Sequence, residues 1–174
     1  MVMTIQRLTA LFTKGQYEEA FAECERLLNT SPDLTDDVLR ARAFGYARSG
    51  DYENTVFDWE KILAGANANL SDYFQTGFYH LYIPQYAEAI VRFKEVLRIG
   101  EETGNDWFKS SVLFYLSYAH MEIGSLEDAS RWMNILQDLS EEGGLILPQS
   151  SWCTYSQLRE EIERRRFSGQ KRER

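Results

Sequence analysis

Gly15-Gln16-Tyr17-Glu18-Glu19-Ala20 decides the fold, because it returns three times along the chain. The other copies read Gly50-Asp51-Tyr52-Glu53-Asn54-Thr55, Pro84-Gln85-Tyr86-Ala87-Glu88-Ala89 and Gly124-Ser125-Leu126-Glu127-Asp128-Ala129. Gly15 to Gly50 is 35 residues, Tyr52 to Tyr86 is 34 and Tyr86 to Leu126 is 40. A period near 34 with a turn inside each unit predicts stacked helix pairs, an architecture that builds binding surfaces rather than reaction centres.

Working outward from the turn, the helix that follows it reads in one register. Tyr17, Ala20, Phe21, Cys24, Leu27 and Leu28 match Tyr52, Thr55, Val56, Trp59, Ile62 and Leu63, and again Tyr86, Ala89, Ile90, Phe93, Val96 and Leu97. That spacing is one face of an α-helix. Ala20, Ala89 and Ala129 are small where two helices must nest. The fourth copy keeps Leu126, Ala129, Met133 and Leu136 but has Ser130 and Gln137 at apolar positions, as suits a terminal repeat. First helices are predicted at about 2–14, 35–49, 70–83 and 105–123, and second helices at about 17–29, 52–65, 86–101 and 126–141. Gly15, Gly50 and Gly124 tolerate the positive φ of a tight turn, Pro84 presets a turn in its own way, and Asp106 is the expected cap of the fourth first helix. Beyond these come a linker at 143–148, a helix starting near Ser150 or Ser151 with Trp152, Tyr155, Leu158 and Ile162 as its stripe, and a mobile tail over 168–174.

The chain has 174 residues, 44% apolar and 14% aromatic, enough to bury a core and too apolar for disorder. The net charge of −8 is uneven: residues 1–158 hold 12 basic and 23 acidic side chains, while 159–174 hold seven basic and four acidic. An acidic body argues against a nucleic-acid ligand and is compatible with a basic protein partner, or simply with solubility. Cys24 and Cys153 are far apart, so no disulfide framework or zinc site is indicated. No signal segment and no apolar run of the ~20 residues needed to span a bilayer is seen, so the expectation is a cytoplasmic protein without a membrane.

The positions just quoted resemble the tetratricopeptide repeat family. The first copy has Gly15, Tyr17, Ala20, Leu27 and Pro32 at the signature spacing. The second has Leu39, Tyr46, Gly50 and Tyr52; the third Gly77, Tyr86, Ala89 and Phe93; the fourth Leu113, Leu116, Gly124 and Ala129. The likeness covers about residues 2–142 and departs at Thr55, at Pro84 and in the missing later inter-repeat prolines. It implies an all-α, right-handed α-solenoid of about nine helices, one domain over 1–167 with repeats near 2–33, 35–67, 70–103 and 105–142. A C-terminal helix near 150–167 would cap it, with Arg164-Arg165-Arg166 as a solvated helix end.

In that family the first helices line a concave face. Carried over, the candidate groove comprises Ile5 and Phe12, with Thr9 and Thr13, from the first copy, and Arg40, Phe44 and Arg48 from the second. Phe74, Phe78 and Tyr82 come from the third, and Phe114, Tyr118, Met121 and Glu122 from the fourth. Phe44, Phe78 and Tyr118 share one repeat position and would form an aromatic ladder, with Phe74 and Phe114 a second. Exposed aromatic surface favours a covering partner at roughly 25 cal/mol per Å². Arg40 and Arg48 would face carboxylates at one end. The alternatives are packing between adjacent first helices, or cover by the chain's own C-terminal helix. The family's chaperone-tail adaptors place Lys and Asn where this chain has Ile5 and Thr9, which argues against that role.

No GxSxG, GxxxxGK[ST], HExxH or GxGxxG pattern occurs. His80 and His120 are one repeat interval apart and are expected to be packed side chains rather than a site. The reading is therefore a non-enzymatic module, without cofactor or metal, that holds a protein or peptide partner. An immunity-type protein neutralising a basic toxin suits the charge, and a small secretion-system chaperone suits the aromatic face. A homodimer formed through Val2, Ile5 and the groove, or through the C-terminal helix, is the assembly alternative.

Overall fold

A computed structural model describes residues 2–139, 142–148 and 152–170, apart from the side chains of 2, 3, 169 and 170. The helices are α1 (Val2–Thr13), α2 (Tyr17–Thr30), α3 (Thr35–Ser49), α4 (Tyr52–Leu63), α5 (Leu70–Tyr82), α6 (Tyr86–Thr103), α7 (Lys109–Glu122), α8 (Leu126–Leu139) and α9 (Tyr155–Gln170). The chain divides into two compact units, 1–79 and 80–174, with the division falling inside α5.

Each turn within a helix pair is left-handed. Gly15, Gly50 and Gly124 have φ of 75°, 83° and 78°, a region open to glycine at no steric cost. Five residues on, Ala20, Thr55, Ala89 and Ala129 are wholly buried. Thr55 is tolerated there because its hydroxyl donates to the Asp51 carbonyl at 2.8 Å. Pro84 stands in the same turn as its counterparts rather than a different one: the Gln85 N–H donates to the His80 carbonyl at 2.9 Å, as the Asp51 N–H does to the Tyr46 carbonyl.

In the first unit, Leu8, Phe12, Cys24, Leu27 and Val38 form the core between α1, α2 and α3. The close approach is at Gly45, where a Cβ would meet the Phe12 ring at 2.2 Å. Phe21 bridges this core to Tyr46, stacked at 4.5 Å. The guanidinium of Arg42 is buried here, gripping Asp58 of α4 through two bonds of 2.7 Å and also pairing with Glu25 of α2. The hydrogen bonds that Arg42 donates to Asp58 hold it firmly protonated against the opposing effect of burial.

In the second unit, Phe93 of α6 stacks on Tyr115 of α7 at 5.7 Å, and Met133, Leu136, Leu158 and Ile162 close the core from α8 and α9. Three sequence expectations are corrected here. Residues 144–146 and 152–154 pair as a short antiparallel hairpin rather than forming a linker and a helix start. Helix α9 begins only at Tyr155, because Thr154 and Gln157 cap it reciprocally: each backbone N–H donates to the other's side-chain oxygen, at 2.8 and 3.1 Å. Trp152 thereby leaves the apolar stripe and is 59% exposed. Helix α7 starts at Lys109 without a side-chain cap, so Asp106 is not its cap. Ser150, Ser151 and residues 171–174 lie outside the described residues, and α9 takes in part of the expected tail.

Two stability predictions follow from this packing. Arg42→Ala should cost about 3–5 kcal/mol in urea unfolding by stranding Asp58, whereas Arg42→Met combined with Asp58→Leu should recover most of it. Gly50→Ala should lower stability by about 1–2 kcal/mol, since a side chain is strained at the left-handed φ of 83°.

Candidate functional site

The sequence singled out the first-helix face, and the two units treat it differently. In the first unit Phe44 is 37% exposed on α3, and Arg48, one turn further on, lies over its ring at 5.6 Å. Arg48 also reaches the Thr13 carbonyl at 3.5 Å and is otherwise open to solvent. Phe74 and Phe78 of α5 are half-exposed, with nearly parallel rings 6.4 Å apart. Thr9 and Thr13 are exposed, their hydroxyls donating back to Ile5 and Thr9 carbonyls of the same helix. These side chains make a mixed aromatic and cationic surface.

Several expected groove residues do other work. Phe12, Phe114 and Met121 are buried in the cores and cannot line an open groove. Their sequence positions alternate between solvent and neighbour as the helices stack, which pattern alone does not resolve. Ile5 packs against the first core. Arg40 is committed to Asp72, with bonds of 2.9 and 2.8 Å, and to Asp37 at 3.2 Å. It is therefore a strut between α3 and α5 rather than a receptor for an outside carboxylate.

In the second unit the corresponding face is built over by the chain's own C-terminal segment. Tyr155 of α9 packs against Phe114 at 5.6 Å, and the Tyr115 hydroxyl donates to the Ile146 carbonyl of the hairpin at 3.1 Å. Glu122 is half-buried and ion-paired with Arg165 at 3.1 Å. Tyr118 is half-buried edge-on to Tyr86 at 6.0 Å, and burial, aided by a hydrogen bond with Tyr86, pushes its hydroxyl pKa up. Tyr82 is half-buried at the end of α5. Of the expected ladder, Phe44 and Phe78 belong to one unit and Tyr118 to the other.

The histidines are packed side chains. His80 is buried with Nδ1 2.8 Å from Gln85 Oε1. His120 is buried, and among the described residues neither ring nitrogen has a hydrogen-bond partner. Asp128 is 3.8 Å from Nδ1, too far for a hydrogen bond. Burial lowers the His120 pKa and outweighs the upward pull of Asp128; Lys94 and Arg131 lower it further. Among the described residues no cluster of His, Cys, Asp and Glu is arranged to hold a metal ion. No helix there is long and apolar enough to cross a membrane.

No family model matches the chain, and no curated protein matches it. Solved structures do. A MamA structure from AMB-1 matches with a TM-score of 0.63 at 19% identity, over 82% of this chain and 74% of that one. A MamA double mutant from RS-1 gives 0.66 at 19%, over 80% and 74%. Pseudomonas aeruginosa pilF gives 0.61 at 18%, over 81% of this chain and 61% of that one. At such identities the likeness speaks to fold, and the fold is the helix-pair solenoid of tetratricopeptide repeat type.

A depressed histidine pKa favours the neutral ring in the folded state. Stability is then complete above the unfolded value near 6.5 and declines as pH falls toward the folded one. The melting temperature should drop between pH 7.5 and about 5.5, and His120→Phe should flatten that part of the profile.

Proposed function

We propose that this protein is a non-enzymatic binding module that takes a protein or peptide segment on the first-helix face of its first unit. The observation that carries the reading is Phe44, more than a third exposed beneath the Arg48 guanidinium, with Phe74 and Phe78 half-exposed on α5. Aromatic and arginine side chains of this kind are the usual anchors of protein interfaces. Arg48 gives the surface a preference for a carboxylate next to an apolar side chain on the incoming segment. With Arg40 held by Asp72, Arg48 is the cation that meets it.

The partner's body is a separate matter from its docking segment. The overall charge of −8 steers basic partners toward the protein at long range, which favours an immunity-type role against a basic toxin. The aromatic face favours the second reading, a chaperone for an export substrate. A toxin gene immediately upstream would support the first, and a secretion operon the second. Cys24 and Cys153 are free thiols, in keeping with a reducing, cytoplasmic setting.

Affinity capture from the native cell, with mass spectrometry, should recover a partner with the unaltered chain. The exposed double variant Phe44→Ser with Arg48→Glu should lose that partner while changing unfolding free energy by no more than about 1 kcal/mol. Undiminished capture by that variant would remove this face from the function. Phe114→Ser should instead cost about 3–5 kcal/mol, as a core truncation does.

A further inference from the structure

Among the described residues the most exposed large apolar side chain is Trp107, 84% open to water, in the connection between α6 and α7. Gly104 closes α6 at a left-handed φ of 69°, and the Asn105 N–H turns back to the Gly100 carbonyl at 2.9 Å. The chain reverses so closely there that a Cβ on Gly100 would meet the Asn105 carbonyl oxygen at 2.8 Å. Asn105 Oδ1 then accepts the Trp107 N–H at 3.1 Å. The backbone that carries Asp106 and Trp107 is thus held in place, so their docking orders few further torsions. Asp106 keeps 68% of its side chain exposed, and among the described residues its ion pair is a 3.5 Å contact with Lys109, weak in water. Glu101 and Glu102 before it are exposed too, so the loop is acidic around its tryptophan.

A carboxylate next to an apolar side chain is what the Phe44–Arg48 face selects, and Asp106-Trp107 is such a pair on this chain itself. Phe44 is 37% exposed, with the Arg48 guanidinium 5.6 Å over its ring. Arg48 makes one long bond of 3.5 Å, to the Thr13 carbonyl. Lys14, next to Thr13 in sequence, is a second exposed cation. Asp51, which follows this helix, is turned to Asn54 and accepts from its N–H and its side-chain amide at 3.1 and 2.7 Å. The face is therefore cationic and aromatic where the loop is anionic and aromatic.

We propose that this loop of one copy docks on the Phe44–Arg48 face of a second copy, with the Asp106 carboxylate on Arg48 and the Trp107 ring against Phe44. Aromatic and arginine side chains are the anchors such contacts favour, and the opposite charges of loop and face set which side meets which. The two surfaces are different patches of the chain, so the contact is head-to-tail rather than two-fold symmetric. A foreign segment of the same chemistry would compete with the loop for the face. The inference rests on the reading of the Phe44–Arg48 face as a docking surface and names an occupant for it.

Sedimentation velocity on the full chain, at up to about 0.5 mM, reads the association. The unaltered chain should sediment as larger species as its concentration rises. A loop variant, Asp106→Arg with Trp107→Ser, and a face variant, Phe44→Ser with Arg48→Glu, should each stay monomeric with unchanged helical content. An equimolar mixture of the two should form a dimer and nothing larger, because one intact face then meets one intact loop. A monomeric unaltered chain, a mixture that stays monomeric, or self-association undiminished in either variant would each overturn the proposal. Loss of the cell-derived partner by the face variant, beside an unaltered chain that stays monomeric, would overturn this inference alone and leave the docking face standing.

Discussion

Three helix pairs in this chain, α1–α2, α3–α4 and α7–α8, hinge on the same steric constraint: a left-handed turn, then a small buried side chain five residues later. The turn reverses the chain in two or three residues, which brings the paired helices side by side before any long side chain can separate them. Ala20, Thr55 and Ala129 sit at that approach with no exposed surface. A longer side chain there would push the helices apart and open the apolar stripe to water.

Once the pairs are formed, the units are finished by different means. The first is locked by ions as well as by packing: Arg42 ties α3 to α4 and α2, and Arg40 ties α3 to α5. Such buried charges fix register more than they add stability. The second is finished by apolar cover, with the hairpin and α9 closing over Phe114 and Tyr115. This difference leaves Phe44 on an open surface of the first unit and covers Phe114 and Tyr115 in the second.

The sequence pattern was a good guide where periodicity speaks and a poor one where neighbours decide. The second-helix stripe placed Cys24, Trp59, Ile62, Phe93 and Val96 in the cores, and they are buried. The candidate groove was legible only in part. Phe44 and Arg48 remain on an open surface, while Phe12, Phe114 and Met121 belong to cores because first helices here contact neighbours on nearly every side. The start of α9 carries its own signal in the sequence: Thr154-Tyr155-Ser156-Gln157 is a capping box, and it sets the helix start four or five residues later than the apolar stripe alone suggests.

What the sequence determined by itself is the repeat: helix length, turn position and the stripe that each helix must bury. These are local properties, set by the 3.6-residue period and by which residues tolerate a left-handed turn. What only the tertiary structure decided is which side chains remain available to a partner. That depends on contacts between residues far apart in sequence, such as Arg40 with Asp72, Glu122 with Arg165 and Phe114 with Tyr155. The same residue type at the same repeat position can therefore be a docking surface in one copy and a core in the next.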